Sequence, residues 1–434
     1  MNDFIAVYKK ILYKLFCAAA VFIGIWLSFF IEPFQSHHGN MIFYFQSDFG
    51  KFMVYFLLAM SALLILSEKD GIKNVFSGKA DLFLWAYFGT IILGLFFRRH
   101  GKIDWHDSMY YISSIIAVYY FFKNGGRFFK NANKIACFIC ILGNIVALVA
   151  ITEIIMHKSI IYEYFVTNMW YRSYLSQSRA MATQVVPAVL GTYFLACIPM
   201  AYFIISNNKN RLLFRVFGVL SALLCITGLV LSFSRGSFFG LIFMTAAYFY
   251  KHNKKIIIYF ILGVLTMIFM FMILKGAPKP ERFRFGDMAS LKDVYSTKIS
   301  RAVTTYNILN AYPFFGLGLF NYRGHFNNFS YQYKWNSLDR VPDNMHLMIL
   351  GENGALGYLF FLLFIIFLLK NTYSNNNEIC ITLSASIIGI LVNMVTYDLL
   401  YWAVPFFIFW IYSGWISALD SIKIPNKEFA GGLT

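Results

Sequence analysis

The chain has 434 residues, 59% of them hydrophobic and only 13% charged, with a mean hydropathy of +0.61. Soluble domains carry about a quarter charged residues, so an ordinary soluble fold is excluded, and the long apolar runs along the whole length indicate a polytopic membrane protein. The net charge of +17 is assigned to cytoplasmic loops and anionic lipid head groups, not to nucleic acid.

Apolar runs predict spans near 11–31, 51–67, 81–97, 108–122, 135–156, 181–206, 215–233, 236–250, 256–274, 347–369, 379–396 and 399–419. The expected fold is all-α, a polytopic membrane protein of about 12 transmembrane helices with one large external loop between spans 9 and 10. Residues 1–274 form a first bundle of about nine spans. Residues 275–342 form the external loop with short helices. Residues 343–434 form about three further spans and a cytoplasmic tail. The first run has no small-residue cleavage site and is read as a span, not a signal peptide. The six cysteines lie in or beside apolar runs, which implies no disulfide framework. Cys137 and Cys140 form a C-x-x-C inside a span, with no second ligand pair, and are read as packing residues.

Loop charges set the expected orientation. Lys9, Lys10 and Lys14 share a side with the nearly acid-free loops around Lys123–Lys134, Lys209–Arg215 and Lys251–Lys255. That side is expected in the cytoplasm, with both termini. The opposite connections are mixed: 32–50 lacks Lys and Arg, whereas 98–107 holds Arg98, Arg99 and Lys102 against Asp104 and Asp107. The loop 275–342 then falls outside, although ten basic residues face four acidic ones in it. Loops beyond about 60 residues largely escape the charge rule. The same face receives the turn 232–237, the segment 157–180 with Arg172 and Arg179, and Asp398.

Arg235 sits where two apolar helices reverse direction, so it must snorkel, pair with an acid or bind an anion. Its neighbours Ser234, Gly236 and Ser237 suit close backbone approach and offer donors. Arg301 opens a stretch whose spacing predicts a short helix over 299–311, ended by Tyr312-Pro313 and a Gly316-x-Gly318 turn. A lone G-x-G is a weak phosphate signal. Two guanidiniums suit a diphosphate, because each fork binds two oxygens and together they offset the charge of a departing group.

Asp343 and His346 lie one helical turn apart, and either could take a proton from a hydroxyl. Asp343 and Asn344 are equally candidates for capping the next helix, and His346 for interfacial packing. His325 is a weaker candidate, and nothing ties His37 or His38 to the other groups. Asp398 either orients an arginine or caps the last helix. No His, Asp and Glu set has metal-ligand spacing, no P-loop or Ser–His–Asp pattern is present, and no half-repeat suggests a secondary transporter.

At these residues the chain resembles the O-antigen ligase and O-antigen polymerase superfamily of bacterial envelope enzymes. Leu231-Ser-Phe-Ser-Arg235-Gly-Ser is similar to its Ser-Arg-Gly turn. Arg301 with Ala311-Tyr-Pro313-Phe-Phe-Gly316-Leu-Gly318 is similar to its external-loop segment. Asp343-Asn344-x-x-Leu347 with Glu352-Asn-Gly354-Ala-Leu-Gly357 is similar to the start of its next helix, and Asp398 to an acid in the penultimate external turn. The match covers about 180–420, and the first 180 residues share only hydrophobicity.

The resemblance implies transfer of a glycan from undecaprenyl diphosphate to an acceptor hydroxyl at the outer face of the bacterial inner membrane, without metal or other cofactor. It implies that Arg235 and Arg301 engage the diphosphate, with Asn344 and Asp398 in support. The acceptor is lipid A-core for a ligase or another lipid-linked glycan for a polymerase. A lipid-linked glycan transporter is the alternative of another class. Asp343 stands where the family has histidine, and His346 follows three residues later. Either residue could act on the acceptor hydroxyl.

Overall fold

The computed structural model describes residues 2–29, 48–67, 75–76, 78–97, 105–126, 131–159, 179–184, 186–208, 211–252, 288–330, 341–374 and 377–421. Among these the regular structure is helical, and no strand occurs. In chain order the helices are α1 (Asn2–Phe29), α2 (Asp48–Leu66), α3 (Lys79–Phe96), α4 (Trp105–Gly125), α5 (Ala132–Met156), α6 (Pro187–Asn207) and α7 (Leu212–Leu231). They continue with α8 (Arg235–His252), α9 (Met288–Ala311), α10 (Tyr322–Phe329), α11 (Met345–Ser374), α12 (Glu378–Asn393) and α13 (Ala403–Ser421). A 3-10 turn, Leu399–Tyr401, precedes α13.

Helices occupy eleven of the twelve predicted positions, and the remaining one, 256–274, lies outside the described residues. Among the described residues, six helices are long and apolar enough to cross a membrane: α1, α3, α5, α6, α7 and α11. Shorter apolar stretches lie in α2, α12 and α13. Among the described residues the chain is therefore all-helical, and its apolar helices are those of a multi-pass membrane protein.

Two helix groups meet at α12 and α13. In one, α6 packs against α5, α7, α8 and α12. Its Pro187 occupies the first turn, where a missing N–H is tolerated, and nearly all of its length is buried. In the other, α4 lies between α2 and α13, and α3 runs along α11. A buried ion pair joins α3 to α4, with Lys123 Nζ 2.5 Å from Asp81 Oδ2. Tyr119 donates to the other Asp81 oxygen at 2.9 Å and its hydroxyl meets Ser417 of α13 at 2.8 Å. The six cysteines are free thiols, four of them buried.

The loop helix α9 is longer than the predicted 299–311. No glycine or proline interrupts Met288–Ala311, so propensity extends the helix toward its N-terminus beyond the apolar periodicity. It packs along α11.

Candidate anion site at the ends of four helices

The turn between α7 and α8 is shaped by its own serines. Ser232 Oγ donates to Leu229 O at 2.6 Å, and Ser234 Oγ accepts from Ser237 Oγ at 2.9 Å. Phe233 carries the left-handed turn at φ 47°. From the other side, Ala180 N donates to Leu231 O at 2.9 Å, and Arg179 Nε to Ser232 O at 3.3 Å. Arg179 thus serves the C-terminal carbonyls of α7, where a cation is favoured. Arg172 lies outside the described residues.

Gly236 and Ser237 face inward, not toward a ligand. A Cβ on Gly236 would lie 1.7 Å from Thr396 Oγ1 and 2.3 Å from Asn393 Oδ1. Asn393 Nδ2 donates to Thr192 Oγ1 at 2.8 Å and to Ser237 Oγ at 3.0 Å. The serine and glycine around Arg235 therefore lock α8 to α6 and α12. Arg235 itself is exposed, with its neighbours Ser234 and Gly236 buried.

Arg301 is buried and ion-paired to Asp343 through Nη1 and Oδ2. Its backbone is held as well: the Tyr322 hydroxyl meets Thr305 Oγ1 at 2.7 Å and donates to Arg301 O at 3.3 Å. Tyr322 N donates to buried Glu352 of α11 at 3.2 Å, and Tyr401 donates to the second Glu352 oxygen. Asp343 is left-handed at φ 44°, a conformation aspartate tolerates better than most residues.

Asn344, not Asp343, caps α11: its Oδ1 accepts from His346 N at 2.9 Å and Leu347 N at 3.2 Å. Met345 N donates to Met394 O at 2.8 Å and Tyr397 O at 3.2 Å. That stitch brings Asp343 beside the Asp398 turn.

The Gly316-x-Gly318 turn is spent on structure. Gly354 interrupts α11 at φ 67° and ψ −173°. Across the break, Leu317 N donates to Gly351 O at 2.9 Å and Gly318 N to Glu352 O at 2.8 Å. In return Ala355 N donates to Pro313 O at 2.9 Å and Leu356 N to Phe314 O at 3.3 Å. The backbone donors of Leu317 and Gly318 are thereby committed to α11 instead of a phosphate.

Three predicted residues meet: Arg301 from α9, Asp343 ahead of α11 and Asp398 ahead of the 3-10 turn, and their charges act on one another. Arg235, at the start of α8, acts on Lys298 of α9. Asp398 is fully buried, and its carboxyl is pushed up to about 7, first by burial and then by neighbouring Asp343, with Arg301 opposing. Its Oδ1 accepts from Trp402 Nε1 at 3.4 Å, and its Oδ2 has no hydrogen-bond partner among the described residues. Asp398 also holds the N-terminal position of the 3-10 turn, its carbonyl accepting from Tyr401 N at 3.1 Å.

His346 faces elsewhere. Its Nε2 lies 3.1 Å from Leu391 O and its Nδ1 3.4 Å from the Tyr358 hydroxyl. A tautomer protonated at Nε2 satisfies both, leaving neither nitrogen open to a hydroxyl. His325 meets Asn328 within α10, and His37 and His38 lie outside the described residues.

One participant was not singled out in the sequence. Lys298 is exposed one turn ahead of Arg301. Its ammonium is lowered by desolvation, then by Arg235, with Arg301 acting in the same sense and Asp343 opposing. The signal available was the i, i+3 spacing to Arg301, shared by many surface lysines.

Among the described residues, no group of three or more His, Cys, Asp and Glu is placed to hold a metal ion. Comparison with protein-family models and with curated proteins finds no match for this chain.

Proposed function

We propose that this protein transfers a glycan from undecaprenyl diphosphate to an acceptor hydroxyl at the outer face of the bacterial inner membrane, in the manner of an O-antigen ligase. The observation that carries the proposal is the meeting of Arg301, Asp343 and Asp398 from three separate stretches of chain. Those positions, with Arg235, carry the resemblance to the ligase and polymerase superfamily.

The acceptor oxygen attacks the anomeric carbon, the bond from that carbon to the diphosphate oxygen breaks, and its electron pair leaves with the diphosphate. Arg235 and Arg301 neutralise the charge that builds there. The hydroxyl proton passes to the Asp343 carboxylate, which is 36% exposed, whereas both His346 nitrogens are engaged. Asp398 supports the Asp343–Arg301 pair from the buried side, and Asn344 fixes the turn. An aspartate in place of the family histidine favours polymerase as the second reading, with another lipid-linked glycan as acceptor.

Purified protein, given a lipid-linked glycan and acceptor without ATP or an ion gradient, should form the transferred product. Absence of product with every acceptor tried, alongside movement of the intact lipid-linked glycan across vesicles, would favour a transporter. A deletion strain separates the two acceptors. Finished polymer left on its carrier marks a ligase, and single repeats mark a polymerase.

A further inference from the structure

We propose that Glu352 is a positioning residue for this reaction. Its buried carboxylate sets the spacing of Arg301 and Asp398, by tying the segments that carry them to a single point of α11. The inference rests on the transfer reaction proposed above.

Glu352 reaches each of the two residues through one tyrosine, and all three of Glu352, Tyr322 and Tyr401 are buried. On one side its Oε1 accepts from Tyr322 N at 3.2 Å, at the start of α10. The Tyr322 hydroxyl donates to Arg301 O at 3.3 Å. The ring between them is seated over Gly351, where a Cβ would lie 2.7 Å from two ring carbons. On the other side Glu352 Oε2 accepts from the Tyr401 hydroxyl. Tyr401 N donates in turn to Asp398 O at 3.1 Å and closes the 3-10 turn. The main chain adds a third tie, since Glu352 O accepts from Gly318 N at 2.8 Å.

The chemistry of the position follows from its partners. Both are donors, and an ionised carboxylate is acceptor-only, so each oxygen takes one of them. Glutamine can keep both contacts: its amide oxygen accepts from Tyr322 N, and its NH2 donates to the Tyr401 hydroxyl, an oxygen that also accepts. Leucine keeps the bulk and neither contact, and strands a buried backbone N–H. Tyr401→Phe removes the Asp398 arm alone, with the ring still packed against Phe320 and Tyr111. Geometry is what Glu352 supplies, and a misplacement of about 1 Å in a site can cost on the order of 10²-fold in rate.

The test is steady-state transfer by the full-length protein in detergent, on the folded monodisperse fraction. The donor is an undecaprenyl-diphosphate-linked glycan, with lipid A-core and a second lipid-linked glycan as alternative acceptors. Glu352→Leu should lose on the order of 10²-fold in kcat and Tyr401→Phe about tenfold, each with a donor KM within about twofold of wild type. Glu352→Gln should recover kcat to within about threefold of wild type. Tyr401→Phe removes only a hydroxyl and decides the question where Glu352→Leu fails to fold. Wild-type kcat in folded Tyr401→Phe, or a Glu352→Gln variant as slow as Glu352→Leu, overturns the inference while leaving the proposed function standing. Wild type that forms no product with either acceptor overturns the proposed function and this inference with it.

Discussion

Replacing Gly354 by alanine tests how the site is held together. At φ 67° and ψ −173° the residue occupies backbone space that is essentially reserved for glycine, where a side chain costs on the order of 1–3 kcal/mol. The new Cβ would also lie 2.3 Å from Phe314 O and 2.6 Å from Gly316 N. These are backbone atoms, so no rotamer change relieves the overlap, and the Pro313–Gly316 turn must lift from α11. The four backbone hydrogen bonds across the break are each worth about 1 kcal/mol. Losing half of them brings the total to roughly 3–5 kcal/mol. The expected result is a fall in melting midpoint on the order of 3–6 °C, read by aromatic fluorescence in detergent, together with loss of transfer because the turn follows the helix that carries Arg301. Gly89→Ala is the internal control. A Cβ there meets nothing within 4 Å, and alanine inside a helix should stabilise by about 0.5–1 kcal/mol. Equal midpoints for the two variants would refute the clamp.

Arg235→Ala and Arg301→Ala should both abolish transfer yet separate in stability. The exposed Arg235 should change stability by less than about 0.5 kcal/mol, the usual range for surface positions. Removing buried Arg301 strands its partner Asp343 and should cost on the order of 1–3 kcal/mol in a thermal melt. Gly236→Ala should destabilise by about 1–3 kcal/mol or more, since Thr396 and Asn393 occupy the space of its Cβ, and Gly89→Ala again serves as the reference. Asp398→Asn should alter the pH dependence of stability. Because burial raises this carboxyl from its ordinary 3.8 to about 7, the folded protein holds a proton that the unfolded chain has released between those values. Wild-type stability should therefore fall as pH rises from about 4 through about 7, by on the order of 4 kcal/mol. The neutral asparagine lacks that slope, so its midpoint should gain on wild type as pH rises; parallel profiles would place the titration elsewhere.

The apolar runs identified helical segments because a bilayer admits few other ways to satisfy a backbone. Arg235 and Arg301 stood out because a guanidinium in so apolar a chain needs a partner. Local chemistry could not decide between Asp343 and Asn344 as helix cap. Both suit the position, and only the arrival of Arg301 beside Asp343 assigns the cap to Asn344. The same limit applies to Gly236 and to Gly316-x-Gly318, whose glycines answer close packing by another helix. Small residues read alike whether they admit a ligand or a neighbouring backbone.

The sequence by itself determined that this is a helical membrane chain with unusual cations near its polar turns, because hydropathy and charge act over a few residues. Tertiary structure decided which of those cations meet. Arg301 and Asp343 are 42 positions apart, and Lys298 was one of ten basic residues in its loop. The meeting of Arg301 and Asp343 depends on how α9 packs along α11. Packing direction and helix termination select those neighbours, and neither is written in any single stretch.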